Sequence, residues 1–156
     1  MKILFICTGN TCRSPMAEGI MRELAKRRGM DIEVESAGVL STPGTPATNF
    51  AKLVLEDMGM DIKDKTAQLV TTEMIESSDL ILVMTEKHKQ FFNQFHDLNI
   101  YTVGEYIGTN EVIRDPYGGD MEVYRDTAYQ LYSSLEKVLD IISGEDKDMI
   151  HDVNIF

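Results

Sequence analysis

The stretch ILFICTGNTCRSPMAEGI, residues 3–20, begins with strand-forming residues and ends with a helical pattern. Between the two lies CTGNTCRS, residues 7–14, which carries two cysteines and an arginine. This loop therefore lies at the carboxyl end of a strand and at the N-terminus of a helix. Helix N-termini present unpaired amides and positive potential, so the stretch predicts an anion-binding loop.

The residue types in this loop suit covalent phosphate chemistry. Gly9 is predicted to let the backbone curl so that successive amides point inward. Ser14 is predicted to cap the helix, with Pro15 as its first residue. Arg13 supplies a fork of donors for two phosphate oxygens. The same field favours a thiolate, so Cys7, at the base of the cradle, is the predicted nucleophile.

A general acid must come from elsewhere in the chain to protonate the leaving group. The best candidate is Asp115 in RDPYGGD, where Pro116 stiffens the turn and Gly118 and Gly119 permit a tight path. Tyr117 offers a flat wall for a substrate side chain. The simpler alternatives are a turn-forming role for Asp115 and a packing role for Tyr117.

Strand and helix patterns alternate along the chain. Strands are predicted at residues 2–6, 32–36, 79–84 and 99–103. Helices are predicted over 15–28, from Thr45-Pro46 to Gly59, near 72–78, from a Thr85 cap to about His96, and from Asp120 to Gly144. A loop is predicted over 104–119. The pattern predicts an α/β fold whose parallel sheet has helices on both faces and binds ligands beyond the carboxyl ends of its strands.

Composition narrows the function classes. One domain is predicted over residues 1–144, and residues 145–156 are predicted to be an acidic C-terminal tail, either disordered or docked through its late apolar residues. The formal net charge of -11 argues against a nucleic-acid partner. No apolar run reaches membrane-span length and no signal peptide is evident, so a cytoplasmic protein without a membrane partner is expected, as a monomer.

Two other uses of the loop fit less well. A disulfide or half of a zinc site is the main alternative for Cys7 and Cys12, but a second cysteine pair is missing. The three histidines, His88, His96 and His151, lack ligand spacing, so no metal is expected. A nucleotide-binding loop would need Gly-Lys-Ser/Thr where this chain has Cys-Arg-Ser.

The sequence CTGNTCRS followed by PMAE, with a late DPYGG, resembles the low-molecular-weight protein-tyrosine-phosphatase family over about residues 1–143. The resemblance implies a four-stranded parallel sheet with no metal or cofactor. It also implies that Cys7 is the nucleophile, that Arg13 binds phosphate and that Asp115 is the acid. Residues that bind phosphate or support the loop are then Thr8, Gly9, Asn10, Thr11, Cys12, Ser14 and, beneath the asparagine, Ser36.

Two positions depart from the tyrosine-specific pattern of that family. Thr11 stands where those enzymes usually carry a bulky aliphatic residue, and Tyr117 is followed by Gly118 where a second aromatic is common. Both features resemble the bacterial protein-arginine phosphatase branch, so phosphoarginine in proteins or peptides is the favoured substrate. The alternatives are phosphotyrosine, an arsenate-reductase-like oxidoreductase, which would need further downstream cysteines, and an inactive phosphate-binding module.

The second cysteine of the loop suggests redox protection. A sulfenic acid formed at Cys7 would be captured by Cys12 as a disulfide, which would prevent irreversible oxidation.

Overall fold

A computed structural model describes residues 1–95 and 98–144 of the chain. Its sheet has four parallel strands, as predicted, and the second strand along the chain lies at one edge, followed across the sheet by the first, the third and the fourth. The strands are β1 (Lys2–Cys7), β2 (Glu33–Gly38), β3 (Leu80–Val83) and β4 (Ile100–Thr102). Because β1 pairs with strands on both sides, the loop that follows it emerges at the middle of the sheet's carboxyl edge.

Helices cover both faces of this sheet. They are α1 (Arg13–Arg27), α2 (Asn49–Asp57), α3 (Thr72–Ser77), α4 (Glu86–Gln90), α5 (Val103–Tyr106) and α6 (Met121–Ser143). Alternate residues of β1 face opposite ways: Ile3 and Phe5 pack in the cluster that includes α1 and α6, whereas Leu4 and Ile6 pack with α3. All four are fully buried. Burial of each side chain contributes about 1.5–3 kcal/mol to the stability of the fold. The strand β1 therefore stabilises the packing on both faces of the sheet.

Two helices begin at other residues than predicted. In α1 the cap position belongs to Cys12, with no side-chain capping bond, because the Ser14 hydroxyl is engaged in the interior of the loop. Pro15 is then the third helical residue, where it still loses no intrahelical bond.

The predicted helix start at Thr45-Pro46 is wrong, because the backbone there pairs with residues 65–67. The helix begins only after Thr48, whose side chain accepts from the amide of Ala51.

The segment around the third and fourth strands also differs from the prediction. Thr85 caps α4 as expected, but the helix ends at Gln90. Beyond it, amides bond to carbonyls three residues earlier, and this tighter turn brings the rings of Phe92 and Phe95 to 6.3 Å from each other. His96 lies outside the described residues. The first residues of the loop predicted over 104–119 belong instead to the short helix α5. This helix begins with a capping box, in which Thr102 and Glu105 each accept from the other's backbone amide.

The final helix matches its predicted limits. Asp120 caps α6 by accepting from the amide of Val123, and Gly144 ends it in the left-handed conformation. The predicted acidic tail at 145–156 lies outside the described residues. Across 1–95 and 98–144, none of the helices combines the length and the apolar character that crossing a membrane requires.

Candidate active site

The loop after β1 takes its sharpest turn at Asn10. This residue has a φ of 57°, which makes it the non-glycine residue with a left-handed backbone among those described. The prediction assigned the backbone curl to Gly9, which does not adopt a positive φ. Asparagine tolerates this conformation better than most residues. Asn10 therefore sets the path of the loop, and its side chain is used to hold it there.

Several loop carbonyls bond to neighbouring segments outside the cradle. The carbonyls of Cys7 and Thr8 accept from the amides of residues 39 and 40, at 3.1 and 3.0 Å, and the carbonyl of Thr11 accepts from Thr48 at 2.9 Å. In a trans peptide the next amide points opposite to the carbonyl. The amides that follow these carbonyls are therefore turned toward the interior of the loop, which forms a nest for an anion.

The Cys7 sulfur lies within this nest. It is 2.8 Å from the Ser14 hydroxyl and accepts from the Asn10 amide at 3.3 Å. Cys7 is almost completely buried, at 3% exposed. The sulfur therefore lies against a backbone amide donor and a buried hydroxyl. The arrangement suits a nucleophile better than it suits a structural cysteine.

A buried chain of hydrogen bonds holds the loop from below. The side-chain amide of Asn10 donates to Ser14 at 2.8 Å and to Ser36 at 2.9 Å, and its oxygen accepts from the Gln68 amide at 3.0 Å. Ser36 in turn donates to Glu18 at 2.7 Å. Both the nitrogen and the oxygen of the Asn10 side chain are therefore hydrogen-bonded. These bonds hold Asn10 in its left-handed backbone conformation.

Close approach of β2 to the loop depends on a glycine. A Cβ at Gly38 would lie 2.5 Å from the Thr8 carbonyl oxygen and 3.1 Å from the Asn10 nitrogen. A larger residue would push the loop away from the sheet. Gly38 therefore belongs to the support of the loop.

The structure brings Asp115 to the same site. Its carboxylate lies 3.6 Å from the Arg13 guanidinium, which also donates to the Ile113 carbonyl at 3.2 Å. The other carboxylate oxygen accepts from the Tyr117 amide at 3.1 Å and so forms a local turn. Arg13 is buried, whereas Tyr117 is 76% exposed. A buried guanidinium thus lies beside an exposed carboxylate and an exposed aromatic ring.

These residues enclose a cavity of about 260 Å³. It is lined by Cys7, Thr8, Gly9, Thr11, Cys12, Arg13, Asp115 and Tyr117. All the predicted residues are therefore assembled at one place, except that Asn10, Ser14 and Ser36 lie beneath the cavity and support it. A larger groove of about 480 Å³ on the other side of Glu18 contains neither cysteine.

The second cysteine has a different environment from the first. Cys12 Sγ lies 3.3 Å from the Tyr124 hydroxyl and 3.9 Å from that of Thr48. Burial, followed by the hydrogen bond to Cys12, raises the pKa of Tyr124 to about 12. Tyr124 is therefore a neutral phenol at neutral pH. Both cysteines are free thiols in this structure.

Some residues of the site were not anticipated from the sequence. Glu18 is buried on α1, four residues after Ser14, and a carboxylate among the apolar positions of that helix is the signal that could have identified it. His88 lies 2.8 Å from the Thr8 hydroxyl. No local pattern indicated that contact, because the two residues come from different strand ends. Within the described ranges, histidine, cysteine and carboxylate side chains do not gather in a group that could hold a metal ion.

Comparisons with known proteins agree with this geometry. Residues 2–148 match the family described as low molecular weight phosphotyrosine protein phosphatase. A protein-arginine-phosphatase of Bacillus subtilis is 38% identical over 88% of this chain and 94% of its own. The low molecular weight protein-tyrosine-phosphatase PtpB of Staphylococcus aureus is 35% identical over 91% of this chain and 99% of its own.

A solved structure gives the same fold. A mutant of the YwlE arginine phosphatase with a phosphorylated active-site serine superposes with a TM-score of 0.88. It is 35% identical, and the match covers 96% of this chain and 99% of that one. The family match over residues 2–148 includes all of β1, the loop that follows it and the segment around Asp115. This chain therefore belongs to the low molecular weight phosphotyrosine protein phosphatase family and is a protein phosphatase.

Proposed function

We propose that this phosphatase acts on phosphoarginine in proteins, with Cys7 as nucleophile, Arg13 as phosphate clamp and Asp115 as general acid. The observation that carries the substrate assignment is the position of Thr11, whose small polar side chain lines the cavity together with Cys7 and Arg13. The similarity to a protein-arginine-phosphatase supports it.

The first step transfers the phosphoryl group to sulfur. The loop amides and Arg13 hold the phosphate oxygens, and the Cys7 thiolate attacks phosphorus as the P–N bond of phosphoarginine breaks. The leaving nitrogen takes the bonding pair and a proton from Asp115. The products of this step are a cysteinyl phosphate and a free arginine side chain.

The second step releases phosphate. Asp115, now a carboxylate, accepts a proton from a water molecule as the water oxygen attacks phosphorus. The S–P bond breaks and its electron pair returns to Cys7 as the thiolate. Contacts from Ser14 and the Asn10 amide stabilise that charge, which makes the sulfur a better leaving group.

The groups that line the cavity favour a guanidinium side chain. A phosphoarginine side chain is long and narrow, and its guanidinium carries several N–H donors. Asp115 and the Thr11 hydroxyl are acceptors for such donors, and the exposed ring of Tyr117 provides a face for stacking. Phosphotyrosine has no donors on its ring and gains more from an apolar wall, which a threonine does not supply.

Phosphotyrosine is the second candidate substrate. The flat, largely exposed ring of Tyr117 at the cavity mouth would stack on a phosphotyrosine ring as well as on a guanidinium. The similarity to the tyrosine phosphatase of Staphylococcus aureus also supports this alternative.

Substitution of Thr11 separates the two substrates. We expect Thr11→Ile to shift kcat/KM from phosphoarginine peptides toward matched phosphotyrosine peptides by about tenfold, the equivalent of about 1.4 kcal/mol of transition-state binding. Thr11→Val, which removes the hydroxyl at nearly constant volume, distinguishes loss of the polar contact from added bulk. The arginine assignment fails if the parent prefers phosphotyrosine and Thr11→Ile leaves the ratio unchanged.

A further inference from the structure

His88 is a buried side chain next to the cavity that the reaction steps above leave unused. It lies in α4 and is 5% exposed. Its Nε2 is 2.8 Å from the Thr8 hydroxyl, and its Nδ1 is 3.1 Å from the Thr85 hydroxyl. Both ring nitrogens therefore have a hydroxyl partner, and one of these partners lines the cavity.

The surroundings keep this imidazole neutral. Burial first, and then the positive charge of Arg13, lower the pKa of His88 to about 4. Lys87 acts in the same direction, and Asp115 opposes it. A neutral imidazole has one N–H donor and one acceptor nitrogen. It can therefore accept from one threonine hydroxyl and donate to the other.

The Thr85 hydroxyl can accept a hydrogen bond from the ring. Its hydroxyl oxygen already accepts from the His88 backbone amide at 3.3 Å, and it has a second lone pair free to accept from Nδ1–H. Nε2 is then the acceptor, and the Thr8 O–H donates to it. In this arrangement the lone pairs of the Thr8 oxygen are left to accept from another donor.

Thr8 occupies a position from which it can contact the substrate. It directly follows Cys7, and its carbonyl is tied to Leu40 by a 3.0 Å hydrogen bond. A threonine hydroxyl is otherwise free to choose among staggered rotamers. The bond to His88 holds one of them, next to a cavity that Thr8 helps to line.

We propose that His88 is a positioning residue, which holds the Thr8 hydroxyl as an acceptor for the guanidinium side of the substrate. The inference rests on the proposed phosphoarginine activity. A guanidinium provides N–H donors for that oxygen, whereas the ring of phosphotyrosine provides none. His88 itself does not touch the substrate and acts only through Thr8.

A double-mutant cycle tests this role through kcat/KM on matched phosphoarginine and phosphotyrosine peptides. We expect Thr8→Val and His88→Leu each to lower the phosphoarginine value about fivefold to tenfold more than the phosphotyrosine value, as for loss of one hydrogen bond to the guanidinium. The double variant should lose no more than either single variant. Thr127→Val removes a buried hydroxyl that bonds to the Val123 carbonyl on α6, and it should leave the substrate ratio unchanged.

The outcomes separate this inference from the function on which it rests. The parent's own preference reports on the phosphoarginine proposal, whereas the coupling between the two sites reports on His88. Effects that multiply in the double variant, or equal losses on both substrates, overturn the positioning role. ¹⁵N spectra of the parent ring provide a second measurement that needs no variant. The Nδ1–H tautomer is expected, and an Nε2–H tautomer would overturn the proposal even if His88→Leu fails to fold.

Discussion

The Arg13 guanidinium lies 3.6 Å from the Asp115 carboxylate, although the two residues come from opposite ends of the chain. The side chain of Arg13 is 7% exposed and that of Asp115 is 57% exposed. The cation is thus fixed from inside the protein, while the carboxyl group reaches solvent and can exchange protons with water. This difference in exposure fits a phosphate clamp beside a general acid.

Substitution of Asp115 tests its role as the acid. We expect Asp115→Asn to slow hydrolysis about 10²–10⁴-fold for aryl phosphates with poor leaving groups, because these need protonation as the bond breaks. Activated aryl phosphates should lose much less. The measurement is the dependence of kcat/KM on leaving-group pKa. Asp120→Asn, which keeps an efficient helix cap outside the cavity, serves as the control. A uniform loss across the series means that Asp115 has only a structural role.

Substitution of Cys7 separates chemistry from binding. Cys7→Ser should reduce turnover of p-nitrophenyl phosphate below detection, because an alcohol is a much weaker nucleophile than a thiolate. Inorganic phosphate should still bind, since the loop amides and Arg13 remain. Calorimetric titration with phosphate measures this binding, and Arg13→Lys should weaken it by removing the planar fork. Turnover near the parent level in Cys7→Ser would rule out the proposed mechanism.

The second cysteine predicts reversible oxidation. Peroxide would convert the Cys7 thiolate to a sulfenic acid, and attack by Cys12 sulfur would form a disulfide with release of water. After mild peroxide we expect a Cys7–Cys12 link by mass spectrometry and full recovery of activity with dithiothreitol. Cys12→Ser is the matched control and should accumulate sulfinic acid at Cys7. Sulfinic acid in the parent protein, without the disulfide, would exclude this role.

The buried imidazole of His88 predicts a pH dependence of stability. Its pKa in the folded protein is about 4, below the ordinary value of 6.5, so the unfolded chain binds more protons between these values. Stability is therefore lost as the pH falls from 6.5 to 4, by at most about 1.4 kcal/mol per pH unit from this group.

Urea unfolding from pH 7 to pH 4 measures this contribution. The free energy of unfolding should fall more steeply for the parent than for His88→Gln, whose side chain does not titrate. The carboxylates contribute equally to the pH dependence of both proteins, so the difference between the two slopes reports on His88. Identical slopes for the two proteins would show that the folded structure does not hold His88 in its neutral form.

Local spacing in the sequence was enough to predict the sheet and the chemistry of the loop. The continuous apolar run from Ile3 to Ile6 predicts a buried strand, and this run is a property of the chain itself. Cys7 and Arg13 are separated by one turn of the same loop, so their proximity needs no tertiary contact. Asp120 and Gly144 limit the last helix through bonds and backbone angles that are local too.

Contacts between distant segments were decided only by the tertiary structure. Ser14 does not cap its helix, because Cys7 and Asn10 compete for its hydroxyl in the folded loop. Similarly, the pairing of His88 with Thr8 depends on how β1 and β3 align, since their carboxyl ends bring the two residues together. Strand pairing and packing decide which residues these hydrogen bonds join, and sequence spacing carries no record of those partners.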